Sequence, residues 1–222
     1  IKQGEGSLLF LDFLAENLTI ENAAGEGKDI GQACAITVDG DRVAFINCRF
    51  VANQDTIYTY GKGQKQYFRN CWIEGTTDFI FGASTCWFED CTILSKKNSY
   101  VTAASTPENE EFGYVFNNCR LIHNEEAQKV YLGRPWRSFA KTVFINCHLG
   151  DHILPEGWHN WNKPYAEKTA FYAEYGSKGP GAASEGERVR WSHTLKTKDL
   201  KKYTPQNVLQ CGSEQDKHGK DV

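Results

Sequence analysis

The sequence predicts an all-β fold, a parallel β-helix (solenoid) with a short C-terminal helical segment, and three observations carry the prediction. A seven-residue motif recurs along most of the chain. Its copies are rich in β-branched and aromatic residues and alternate apolar and polar in steps of two, the strand pattern. The helical signal is confined to the far end.

In order along the chain, the motif occupies residues 14–20 (LAENLTI), 44–50 (AFINCRF), 67–73 (YFRNCWI), 87–93 (WFEDCTI), 115–121 (VFNNCRL) and 143–149 (VFINCHL). Each copy places Asn or Asp fourth, Cys or Leu fifth and an apolar residue seventh. The fifth positions, Leu18, Cys48, Cys71, Cys91, Cys119 and Cys147, are separated by 30, 23, 20, 28 and 28 residues. Such steps suit one solenoid coil of about three short strands with turns of variable length. The five cysteines then stack as a buried column of small polarizable side chains about 4.8 Å apart, with the Asn or Asp before them stacking at a turn. No close Cys-x-x-Cys pair argues for zinc. Cys86 and Cys91 are the nearest, on opposite faces if their strand is continuous. After the last copy, residues 176–186 read as a surface loop with four glycines, one proline and two serines. Beyond a lysine-rich stretch, Thr204-Pro205 is an N-cap and first-turn pair that opens a short helix over 205–210, expected to lie across the coils.

Composition narrows the function. A 222-residue, 25.1 kDa chain can bury roughly 70% of its surface and form one domain. A net charge of −3 and a pI near 6.1 leave no broad basic field, which speaks against nucleic acid, and no apolar run reaches the ~20 residues of a membrane span. Eight cysteines in a chain able to form its own core do not read as a disulfide scaffold. The sequence holds no Met and starts at Ile1, so an internal start is expected.

The repeat register also locates chemistry. Asp55 lies seven residues after Cys48 and Asp78 seven after Cys71, so the two carboxylates hold equivalent places on adjacent coils, about 5 Å apart. Carboxylates that close cannot both ionise freely; one pKa rises and the pair divides into an acid and an ionised base or nucleophile. An aspartate ladder or a calcium site is the alternative on spacing alone. Gln54 supplies an amide donor beside Asp55, and apolar residues surround Asp78. Arg134, fifteen residues after Cys119, and Gln32, fourteen after Leu18, share nearly the same coil offset, and a planar guanidinium suits holding a carboxylate ionised.

The segments Gly31-Gln32-Ala33-Cys34-Ala35, Gln54-Asp55-Thr56, Gly75-Thr76-Thr77-Asp78-Phe79-Ile80-Phe81-Gly82 and Leu132-Gly133-Arg134-Pro135-Trp136 resemble, in order and spacing, the signature motifs of the pectinesterase (pectin methylesterase) family. The resemblance continues through Gly157-Trp158 and Tyr172 to about Trp191. It implies a right-handed parallel β-helix and hydrolysis of galacturonate methyl esters in pectin. By position it makes Asp78 the nucleophile, Asp55 the general acid and then base, Gln54 and Gln32 the oxyanion donors, and Arg134 the residue that orients Asp78. Trp136, Trp158 and Phe81 match positions that contact the sugars, and no metal or other cofactor is expected. The family's N-terminal coils, with their Gly-x-Tyr-x-Glu motif, have no counterpart, so 1–222 is read as one domain lacking them, with 196–222 as a tail packed on the β-helix. Ala103-Ala104-Ser105 stands where a Gln is expected in plant relatives.

Two enzyme alternatives share the fold, a pectate lyase and a retaining glycosidase, whose carboxylates lie about 5 Å apart. A non-catalytic polysaccharide-binding β-helix is the third. Methyl-esterified homogalacturonan, nearly neutral, fits the mildly acidic chain better than a polyanion. A monomer acting outside the cytoplasm, secreted, periplasmic or at the cell surface, is the expectation.

Overall fold

The computed structural model describes residues 12–184 and 186–210. Within them, nineteen short strands pair entirely in parallel and form three sheets of eight, six and five strands, the architecture of a parallel β-helix. Successive motif copies stack in register. Leu14, Ala44, Tyr67, Trp87, Val115, Val143 and Ala173 are consecutive partners along the eight-stranded sheet. Ile20, Phe50, Ile73, Ile93, Leu121 and Leu149 are partners along the six-stranded one. The repeat spacing read from the sequence is therefore the length of each coil.

Each motif copy is two strands joined by a corner and not a single strand. The Asn or Asp at its fourth position, Asn17, Asn47, Asn70, Asp90, Asn118 or Asn146, has φ of 52–59°, a left-handed conformation these residues tolerate better than most. The corner side chains also bond between coils, Asn70 Nδ2 to Asn47 Oδ1 at 2.7 Å and Asn118 Nδ2 to Asp90 Oδ1 at 2.6 Å. Because Asp90 turns the chain, Cys86 and Cys91 do not fall on opposite faces, and both thiols are buried in the same interior. Cys71, Cys91, Cys119 and Cys147 each donate a weak S–H bond to a phenylalanine carbonyl one coil back, at 3.4–3.5 Å.

Beside the thiols runs a second column that the motif spells out at its second position. Phe45, Phe68, Phe88, Phe116 and Phe144 are fully buried, and consecutive rings stack 4.4–5.2 Å apart with planes 7–17° from parallel. The opposite face of the same sheet carries Ala44, Tyr67, Trp87, Val115, Val143 and Ala173. The C-terminal segment covers it with Leu195, Val208 and Leu209. The helix there, Pro205–Val208, is shorter than predicted. Thr204 caps it by accepting from Asn207 N–H.

A seventh coil follows the six motif copies without repeating their sequence. Its strand Phe171–Tyr175 pairs with Lys141–Ile145, and Gly176 (φ 62°) takes the corner. The position requires left-handed backbone, which glycine adopts as readily as the asparagines of the earlier corners. At the other end of the described stack, Phe13 and Leu18 are half exposed. Among the described residues no helix is long and apolar enough to cross a membrane.

Candidate active site

The candidate site is built on the corners that lead into the five-stranded sheet. Strands Ile57–Thr59 and Ile80–Gly82 pair with Tyr58 opposite Phe81, a step of 23 residues, and the same step carries Asp55 onto Asp78. Both aspartates adopt left-handed backbone, φ 65° and 50°, a conformation costly enough to persist only where the surroundings fix it. Here the ladder fixes it, since Asp55 N–H donates to Thr77 O at 3.0 Å and Asp78 N–H to Tyr100 O at 2.9 Å. Gly82, in the same segment, approaches the preceding coil so closely that a Cβ would meet Thr59 O at 2.1 Å.

Arg134 follows the strand Tyr131–Gly133, two coils beyond Asp78 in the same sheet. Its Nε donates to Asp78 Oδ1 at 2.9 Å and its terminal nitrogen to Asp78 Oδ2 at 2.6 Å, a two-pronged ion pair that fixes the carboxylate plane. The guanidinium is itself held between two aromatic faces, its carbon 3.9 Å from the Tyr100 ring centre and 3.6 Å from that of Trp161.

The two carboxyls thus have different electrostatic surroundings. Burial, then the neighbouring Asp78 charge, pushes Asp55 up to about 7, with Arg134 opposing. Burial also raises Asp78, but its opposition comes from the directly bonded guanidinium and from Lys163. Asp55 is therefore suited to hold a proton near neutrality beside an Asp78 ionised by its ion pair.

Asp55 and Asp78 open into a cleft of about 420 Å³ that is also lined by Gln32, Gln54, Phe81, Arg134 and Trp136. All five polar residues named from the sequence meet there. Tyr58 and Trp136 also line an adjoining depression of about 760 Å³. Phe81 borders the cleft but is only 8% exposed, with its ring stacked on Tyr58 at 4.4 Å, so Tyr58 offers more ring to the groove than Phe81 does.

Trp158 is the correction. It is 1% exposed and stacks on Tyr172 in the interior at 4.4 Å, so its ring packs the core and is not offered to a ligand. The tryptophan of this loop that joins Trp136 in the cleft is Trp161, three residues on, which sequence reasoning missed together with Tyr58, Tyr100 and Cys34. An aromatic in Gly157-Trp158-His159-Asn160-Trp161 was legible; which of the two indoles turns outward was not.

With this geometry in place, comparisons with known proteins converge. The model of the family described as Pectinesterase matches residues 9–212. Pectinesterase 31 of Arabidopsis thaliana is 46% identical over 185 residues, 83% of this chain and 57% of the relative. A pectin methylesterase structure from carrot superposes with a TM-score of 0.83 at 33% identity, over 92% of this chain and 67% of that one. A pectin methylesterase in complex with a hexasaccharide superposes with a TM-score of 0.74 at 30% identity, over 89% of this chain and 70% of that one. The chain spans just over half the length of Pectinesterase 31.

Proposed function

The chain belongs to the pectinesterase family, and from that premise we propose that it hydrolyses the methyl esters of galacturonate units in pectin, releasing methanol. The observation that carries the reading is the carboxyl pair on adjacent coils, one member gripped by Arg134 and the other pushed toward holding its proton.

The reaction follows from that division. An oxygen of ionised Asp78 attacks the ester carbonyl carbon, and the carbonyl oxygen takes up the negative charge. The amide N–H groups of Gln54 and Gln32, in the same cleft, are the donors for that oxyanion. As the tetrahedral species collapses, Asp55 gives its proton to the departing methoxide, leaving an acyl link to Asp78 and an ionised Asp55. Asp55 then takes a proton from water; the hydroxide adds to the acyl carbon, Asp78 departs as carboxylate and the galacturonate acid is released. Arg134 keeps Asp78 a carboxylate at the start and receives it as one at the end.

Trp136 and, by its position, Trp161 are the surfaces assigned to the sugars, with Phe81 only an edge of the cleft wall against Tyr58, while Trp158 has a packing role. The substrate is methyl-esterified homogalacturonan, in keeping with the hexasaccharide held by a structural relative. The site of action is outside the cytoplasm, because the polymer does not enter cells intact, and the working unit is a monomer. Incubation with highly methylated pectin in the presence of a chelator, following methanol and ultraviolet-absorbing unsaturated product together, tests the assignment. Methanol alone is the expected result. Unsaturated uronide points to a lyase, new reducing ends to a glycosidase, and no product to a binding protein.

A further inference from the structure

We propose that His123, Asp151 and His152 form a binding site for one divalent transition-metal ion of the zinc type, separate from the ester-hydrolysing cleft. The three donors come from adjacent coils. His123 ends the strand Arg120–His123, and Asp151 and His152 lie in the turn after His148–Leu149, where Ile153 N–H donates to Gly150 O at 3.1 Å. Leu121 pairs with Leu149, and the same 28-residue step carries His123 onto Asp151.

Their donor atoms all lie within 4.8 Å of one another, and the two imidazole centres are 4.5 Å apart. Hydrogen bonding around His123 points to a cation. Its Nδ1 is 2.7 Å from the carbonyl oxygen of Asn124, which only accepts, so Nδ1 carries the hydrogen. In the neutral ring Nε2 then directs a lone pair toward Asp151 Oδ1 at 2.9 Å, and two acceptors at that distance repel unless a cation joins them. A ring whose outer nitrogen donates to a backbone carbonyl while the inner one faces a carboxylate has the arrangement of a metal-ligating histidine and its supporting contact.

His152 supplies the independent observation. The residue is 1% exposed, and neither ring nitrogen has a hydrogen-bond partner among the described residues. Buried polar groups left unpaired are rare and costly, and a metal bond satisfies one of the two nitrogens. One coil back, Ser95 pairs with His123 in the sheet, and its hydroxyl is also buried without a described partner. A second proton on His123 would account for its contact with Asp151 as an ordinary ion pair, but it leaves His152 unexplained.

Two imidazoles and one carboxylate suit zinc and its neighbours, whereas calcium and magnesium prefer all-oxygen shells. Bonds of about 2.0–2.1 Å in a tetrahedron place donors about 3.4 Å apart. Side chains of His123 and Asp151 reach solvent, 22% and 71% exposed, and have room to adjust. Solvent fills the fourth position. None of the three residues lines the cleft, so the ion's role is to clip one coil to the next.

The test is a titration of chelator-stripped full chain with Zn²⁺ and, for its spectrum, Co²⁺. Expected are one ion per chain, cobalt bands of nitrogen and oxygen ligation without thiolate charge transfer, and a thermal midpoint raised by Zn²⁺ but not by Mg²⁺. Asp151→Asn, at an exposed side chain, and His123→Gln should fold normally and bind at least about tenfold more weakly, the loss that even a supporting partner produces. Unsaturable binding, equal affinity in wild type and both variants, or a cobalt–thiolate spectrum overturns the site. Methanol release is read separately, so failure of the metal site is distinct from failure of the esterase assignment.

Discussion

Asp55 and Asp78 share a side chain, a left-handed backbone and the same place on adjoining coils, yet the groups around them drive their chemistry apart. Asp78→Asn removes the proposed nucleophile while keeping its shape, and should abolish methanol release and leave pectin binding intact or improved. Asp55→Asn keeps the proposed nucleophile but lacks the proposed proton donor, so it should retain a larger share of activity on an aryl ester, whose leaving group needs no proton, than on methyl pectin. Gln54→Ala should fall between them, losing roughly 10²–10³ in turnover as loss of one oxyanion donor does. Identical behaviour of the two Asp variants on both esters would remove the division of roles. The raised pKa of Asp55 also links to stability. Burial and the Asp78 charge push its carboxyl up to about 7 from the ordinary 3.8, so between those values the folded state binds more protons than the unfolded one. Stability should therefore fall as pH rises through that window, and Asp78, shifted in the same direction, adds to the fall. Urea unfolding of wild type and Asp55→Asn across that range checks this, since the variant should show the shallower decline. Both aspartates were legible because the repeat register counts directly into the corner. Trp161 was not, because left-handed backbone at Trp161 and Asn162 redirects the loop in a way no period predicts.

At the level of strands and corners, the repeating motif encodes two interior columns and one hinge. The thiol column was legible because cysteine is rare enough to mark a register. Its phenylalanine neighbour, equally regular at the second motif position, carries the larger packing role, with each ring stacked on the next at 4.4–5.2 Å. Truncating a ring in mid-column, Phe116→Ala, removes stacking on both sides and leaves a cavity in rigid sheet, and should cost about 3–5 kcal/mol in urea unfolding. Phe13, 53% exposed and tilted against Phe45 at 6.0 Å where the column ends, buries far less on folding, so Phe13→Ala should cost only a small part of that. Equal costs would mean that the column is not the source of the stability. The seventh coil escaped the motif search for a physical reason. Gly176 reaches the same left-handed corner without needing asparagine, so the geometry repeats while the letters do not.

Across the whole molecule, stacking coils brings residues as distant in sequence as Gln32 and Trp161 into one cleft, while cysteines spread over a similar span are kept out of solvent. That contrast makes thiol accessibility a test of the assembled fold. Cys48, Cys71, Cys86, Cys91, Cys119 and Cys147 are buried and free, and burial pushes the Cys86 and Cys119 thiols up, away from the reactive thiolate. Cys34 is half-buried at the cleft, where burial and the neighbouring Asp55 charge also raise it. Reaction with a thiol reagent requires both access and thiolate, so Cys34 should label slowly in the native state, faster as pH rises, and the six interior thiols only on unfolding. Cys211 lies outside the described residues, so the measurement belongs in a Cys211→Ser background. Because Cys34 lines the same cleft as the carboxyl pair, pectin fragments should slow its labelling without altering the six. Native labelling of several interior cysteines at the Cys34 rate would contradict the stacked column, and labelling of Cys34 indifferent to bound sugar would place the ligand elsewhere on the groove.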